Sequence, residues 1–326
     1  MIERRAFLAL LGGAATAASP LMVRAQQPSM PVIGLLTGVS ATAAPVVGFR
    51  QGLKEAGFVE GQNVAIEYRF AEGQYERMPA LAADLVAKRV TVIATIGENA
   101  ATAAKAASAD AIPLVFALGD DPVTLGLVAS FNRPGGNVTG VTSIGHTLGP
   151  KRVELLRELL PQATTIALLT NPKQPRDFER RDVEEKTRAV GWQLRYLAAS
   201  SVDEFDAAFA ELERQRIGAL IIANETFFFS EIRRLASLAS RHAVPAIGPL
   251  RGFADAGGLM SYGANIPDVA RQAGVYTGRV LKGDKPADLP VMQPAKFELV
   301  INLKAAKALG LTVPITLQVA ATDVVE

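Results

Sequence analysis

Short apolar runs alternate with helix-patterned segments along almost the whole chain, and this rhythm limits the fold more than any other feature. Val32–Leu36, Val64–Phe70, Val92–Ile96 and Pro113–Leu118 have strand length and strand composition. Between them, residues 43–55, Tyr75–Lys88 and Glu98–Ala107 repeat apolar or alanine positions at helical spacing. Strands separated by helices of this length form βαβ units of a parallel sheet. The rhythm restarts after a Gly/Thr-rich stretch at 134–145. Strands are expected at Thr165–Thr170, Trp192–Leu197, Ala219–Ala223 and Val244–Ile247. Helices are expected at Leu148–Leu160, over a segment ending with Asp182–Val190, and at Val202–Gln215 and Glu231–Arg241.

One hydrophobic core stops growing near roughly 250–300 residues, and this chain has 326. The expected fold is therefore α/β, with two Rossmann-like doubly wound lobes. After Gly252 come a strand (Gly258–Tyr262), a helix (Pro267–Leu281) and the closing segment from Phe297. These are too few for a third domain, so they complete the two sheets and the chain crosses between lobes more than once. The division read from this is 30–145 plus 252–289 for the first lobe and 146–251 plus 290–326 for the second.

Residues 1–25 read as an export signal. Arg4 and Arg5 precede an apolar run from Ala6 to Ala18, and Val23-Arg24-Ala25 places small residues for a cut after Ala25. The run is shorter than the roughly 20 apolar residues that span a bilayer. Arg4-Arg5-Ala6-Phe7-Leu8 also resembles a twin-arginine signal, and the residues leave that route and the general secretory route open. The reading is a cleaved signal and a periplasmic protein.

Composition removes several functions. The excess of 34 Lys+Arg over 32 Asp+Glu sits in residues 1–25, where Arg4, Arg5 and Arg24 face only Glu3. The rest is formally neutral, without the basic field that nucleic acid demands. With no cysteine there is no disulfide, thiolate metal site or thiol nucleophile. Two histidines, His146 and His242, are too few and too separated for a histidine metal site. A phosphate-binding Gly-x4-Gly-Lys-Ser/Thr loop is absent, and 135–140 lacks the spacing of a dinucleotide fingerprint. No cofactor and no catalytic residue are expected.

Five segments together carry a family resemblance: Phe49–Val86, Asp121–Thr142, Lys151–Pro161, Gly257–Val291 and Phe297–Pro314. In this order they resemble the ABC-importer substrate-binding proteins of the tryptophan-binding-protein-like family. The resemblance implies a type I periplasmic-binding-protein fold, its lobes joined by a multi-strand hinge. It implies a small-molecule solute, a membrane permease and a cytoplasmic ATPase as partners, and no chemistry. The chain is read as a monomer that closes over an amino acid or aromatic compound. A periplasmic ligand sensor signalling to a membrane receptor, or an enzyme on the same scaffold, remains open.

Parallel sheets bind ligands beyond the carboxyl ends of their strands, so the loops there hold the candidate site. Thr37 and Ser40 could donate hydroxyls to a ligand or cap the next helix. Glu98, Asn99 and Ala100 open a helix whose free amides attract an anion. Glu98 cuts across that: if its carboxylate points into the cleft, an amine or polyol is favoured over an anion. Asp120 is a ligand candidate, while Asp121 serves the turn. In the second lobe the candidates are Asn171, Asn224, Glu225 as an ammonium partner, and Phe227 from the run Phe227-Phe228-Phe229 as an aromatic wall. Arg251 could clamp a carboxylate or pair within the hinge.

Overall fold

The structure is a computed structural model and describes residues 30–173, 178–293 and 297–326. The expected export signal, with the twin-arginine pair and cleavage point read from the sequence, lies outside the described residues. Among those described, no helix is long and apolar enough to cross a membrane.

The first half begins β1 (Val32–Thr37), α1 (Ala44–Glu55), β2 (Ala65–Phe70), α2 (Met78–Ala87), β3 (Val92–Ile96), α3 (Glu98–Ser108), β4 (Leu114–Leu118) and β5 (Val138–Thr142). Its five strands are all parallel, in the order β2-β1-β3-β4-β5. Alternation of side chains along buried strands gives this sheet two apolar faces. Ile33, Leu35, Val92, Ala94, Val115 and Ala117 point to one core. Leu36, Ile93, Leu114, Phe116 and Leu118 point to the other, under α2 and α3.

The chain continues with α4 (Gly149–Leu159), β6 (Thr165–Thr170), α5 (Phe178–Ala189), β7 (Gln193–Ala198), α6 (Glu204–Arg214), β8 (Ala219–Ile222), α7 (Thr226–Ser230), α8 (Ile232–Arg241) and β9 (Ala246–Gly248). It ends with α9 (Arg251–Asp255), β10 (Met260–Ala264), α10 (Ile266–Leu281), β11 (Phe297–Asn302), α11 (Leu303–Ala308), α12 (Ile315–Ala320) and β12 (Asp323–Val325). The second sheet has seven strands, β12-β11-β10-β9-β8-β6-β7. Only β11 against β10 is antiparallel.

Three details depart from the sequence reading. The Gly/Thr-rich stretch contains a strand, β5. Its polar pattern hides it because Thr139 and Thr142 are buried with their hydroxyls donating to the carbonyls of Leu289 and Asp120. The strand expected at Gly258–Tyr262 runs two residues later, because Gly258 lies against the Phe253 ring rather than in the sheet. The segment 252–289 does not go with one sheet. β10 is hydrogen-bonded into the seven-stranded sheet, while α10 packs on α1 and covers the first. The chain therefore passes between the sheets after β5, again between β10 and α10, and a third time after Met292, which bridges Val141, on its way to β11.

Candidate functional site

In the five-stranded sheet the order reverses between β1 and β3, and in the other between β6 and β8. These are the switch points where parallel sheets leave a crevice at their carboxyl ends. The crevices face each other. Between them is a narrow cavity that opens to solvent, lined from one side by Val39, Gly97, Glu98 and Gly119 and from the other by Asn224, Thr226 and Phe229. An open groove of about 2690 Å³ continues from it past Ser40 and Arg251.

Glycine lets the two sides approach. Gly97 has φ +101°, and a Cβ there would sit 3.1 Å from the Thr226 hydroxyl. A Cβ on Gly119 would fall 2.6 Å from Nδ2 of Asn224.

A direct tie crosses the gap. Tyr75, in the turn before α2, donates its hydroxyl to Oε1 of Glu225, which precedes α7. The same hydroxyl accepts from the Phe227 amide at 2.9 Å, and Oε2 of Glu225 accepts from the Phe228 amide at 3.2 Å. Asn171 adds a further hydrogen bond to Glu225. Glu225 is 3% exposed. Burial pushes its carboxyl up despite these donors, and burial followed by the Glu225 charge pushes the Tyr75 phenol up. The expected ammonium partner is thus occupied by the protein's own donors, as an N-cap and a cross-cleft tie.

Glu98 carries the first turn of α3 into the cavity wall. Its Oε1 accepts from the Gly119 amide at 2.6 Å, and the carboxylate also bonds its own backbone amide. Removal from water, then the charge of Asp120, then that of Glu225, push it up to about 7. Folding therefore favours the protonated form. The stability from this group is full below about 4.5 and lost as pH rises through about 7. The melting temperature of the solute-free protein is expected to fall between pH 5 and pH 8, and Glu98→Gln to flatten that slope. An identical slope in both proteins, followed by scanning calorimetry, would contradict this assignment.

The remaining expected residues are placed as follows. Thr37 is buried and its hydroxyl accepts from the Val39 amide at 3.3 Å, shaping the loop after β1. Ser40 is exposed in the outer groove. Asn99 follows Glu98 on α3, and Ala100 is buried in the core beneath that helix. Asp120 is 7% exposed and borders Glu98 electrostatically. Asp121 serves its turn, accepting from the Val123 amide and the Thr124 hydroxyl at 2.8 and 2.9 Å. Asn171 is buried, and its Oδ1 accepts from the Lys173 amide at 3.0 Å. Asn224 is at the cavity, its backbone amide fixed by Oε2 of Glu179 at 2.7 Å.

Two placements correct the reading of side chains. Phe227 stacks on Phe205 with centroids 5.5 Å apart, inside the core of the seven-stranded sheet, and Phe229 is the aromatic at the cavity. On the five-residue helix α7, Phe227 and Phe228 both pack against Phe205, and Phe229 is left at the cavity. Arg251 already holds Asp323 at 2.5 Å and Asp255 at 3.3 Å, at the rim of the outer groove, so its guanidinium is paired within the seven-stranded unit. Tyr75 was not anticipated. The available signal was an aromatic at the carboxyl end of the β2 unit, where loops reach the crevice.

Comparison with known proteins agrees with this architecture. Residues 30–325 match the family of ABC transporter substrate binding proteins. The chain is 26% identical over 265 residues to a tyrosine-binding protein of Clostridioides difficile, covering 81% of this chain and 76% of that one. It superposes with a TM-score of 0.80 on a Streptococcus pneumonia ABC domain crystallised with L-Trp, at 28% identity over 91% of this chain and all of that one. A conserved domain protein of Vibrio cholerae gives the same TM-score at 25% identity, over 90% of this chain and 99% of that one. With two crevice-bearing sheets, a cavity between them and a family match over residues 30–325, the chain belongs to the ABC transporter substrate-binding protein family.

Proposed function

We propose that this protein is the extracytoplasmic solute-binding component of an ABC importer, exported with residues 1–25 removed, and that it delivers a small amino-acid-like or aromatic compound to a permease powered by a cytoplasmic ATPase. The observation that carries the reading is the cavity at the carboxyl ends of both sheets, tied across by Tyr75 and Glu225. A solute touching both sides favours the shut arrangement over an open one, because only the shut form offers it both sets of contacts. Apolar walls at Val39, Phe229 and Ile266 suit a carbon body, and the tyrosine and L-Trp of the relatives are of that class.

Two measurements test it. A solute at 100 times its dissociation constant is expected to stabilise the folded state by about 2.7 kcal/mol, seen as a raised melting temperature. The same solute is expected to reduce the radius of gyration in solution scattering. A protein that no small metabolite stabilises or compacts, and that carries none when purified, would overturn the reading. The mass of the exported chain, beginning at Gln26, checks the export step.

A further inference from the structure

The cavity has an anion seat, and the protein fills it. The amide of Glu98 and the amide of Gly119 point to one place at the start of α3, where the helix dipole favours negative charge. A ligand carboxylate would sit there. Instead the Glu98 carboxylate takes both amides. The charges of Asp120 after β4 and of Glu225 before α7 act on it, and its own charge acts on the Tyr75 phenol. Among the described residues, no lysine, arginine or histidine lines the cavity. A second carboxylate brought in by a ligand would find its amides occupied and acidic groups as neighbours. An ammonium would find the reverse. The rest of the wall is neutral: apolar at Val39, Ile96, Leu118, Phe229 and Ile266, and polar only at Asn224 and Thr226.

Within the solute-binding reading above, on which this rests, we propose that the solute is an apolar amine without a carboxylate, its ammonium held against Glu98 in the field of the neighbouring Asp120. The selection works by charge. The amine and the parent amino acid share the body that the apolar walls accept, and differ only in the group that the filled seat rejects. Binding also moves a proton. Glu98 lies near half-protonation at neutral pH, and a cation beside it favours the ionised form, so the amine expels a proton as it binds. A neutral polyol would expel none.

The test pairs tryptamine, tyramine, phenethylamine and isoamylamine with tryptophan, tyrosine, phenylalanine and leucine, by calorimetric titration of solute-stripped protein. At pH 7.5 at least one amine is expected to bind ten-fold or more tightly than its parent amino acid. Its affinity is expected to weaken several-fold from pH 8 to pH 6, with proton release read from buffers of different ionisation heat. Glu98→Gln is expected to abolish the proton release and most of the preference. Glu98→Ser empties the seat and is expected to reverse the preference toward the amino acid, which a purely structural role for Glu98 would not do. If neither variant folds, the paired affinities and proton release of the unaltered protein decide.

An amino acid that binds as tightly as its amine overturns the amine proposal and leaves the solute-binding reading standing. Binding of neither panel also overturns it. In that case, a solute found with the purified protein by native mass spectrometry keeps the broader reading alive, and its absence ends both.

Discussion

Replacing Glu179 with Leu is expected to destabilise the protein by about 3–5 kcal/mol, the usual cost of stripping one partner from a buried ion pair. Arg152 is fully buried on α4. Its Nε donates to the Tyr262 carbonyl in β10 at 2.9 Å, and its Nη1 pairs with Oε1 of Glu179 on α5. Its Nη2 has no hydrogen-bond partner among the described residues. The guanidinium therefore depends on Glu179 for compensation, and without it carries a bare charge in a low-dielectric interior. The effect reaches the cleft, because the other oxygen of Glu179 holds the Asn224 amide at 2.7 Å. Solute affinity is expected to fall with stability. Urea unfolding measures the first and titration the second. The pair Arg152→Met with Glu179→Leu is expected to recover more than half of the stability but not the affinity, since an apolar pair removes the charge problem and leaves Asn224 unheld. A single-variant loss below about 1 kcal/mol, within the range of an exposed ion pair, would show that the interior solvates Arg152 by other means.

Gly52→Ala is expected to destabilise by about 2–3 kcal/mol, against the helix preference that favours alanine over glycine by about 0.8–1.0 kcal/mol. α1 and α10 cross with their backbones in contact. A Cβ on Gly52 would lie 1.7 Å from the Arg271 carbonyl oxygen, and one on Gly48 would lie 2.2 Å from that of Pro267. From the other side, a Cβ on Gly274 would lie 2.2 Å from the Phe49 carbonyl oxygen. Each obstacle is backbone, which cannot rotate away as a side chain can. The helices must separate, opening the core around Phe49, Val269 and Ala273. Because α10 follows β10 by one residue, the separation also displaces a crossing between the two sheets. Thermal unfolding measures the loss. A variant that melts higher than the parent would show that propensity, not packing, governs this crossing.

Period and length alone gave the alternation of strands and helices, because a strand buried on both faces is a short unbroken apolar run and its covering helix repeats every 3.6 residues. That is why β1, β3, β4 and β6 could be read directly. β5 could not, because its buried threonines are satisfied by carbonyls distant in sequence, and no local pattern announces such partners. The membership of β10 and α10 was hidden for the same reason. Each is an ordinary strand or helix locally, and only pairing decides which sheet it joins.

The loops that hold the cavity followed from topology. The roles inside them did not. Glu98, Asp120 and Glu225 are the same chemical type at strand ends, and the sequence offered each as a solute contact. The fold separates them. Glu225 is saturated by Tyr75 and backbone amides, while Glu98 occupies the seat at the start of α3. The sequence by itself determined two parallel α/β units and where their crevices open, since those depend on periodicity and strand direction. Only the tertiary structure decided which carboxylate and which phenylalanine line the cavity, and that Arg251 is held by Asp255 and Asp323. Hydrogen bonding and desolvation act between residues far apart in the chain, and their outcome exists only once the two halves have met.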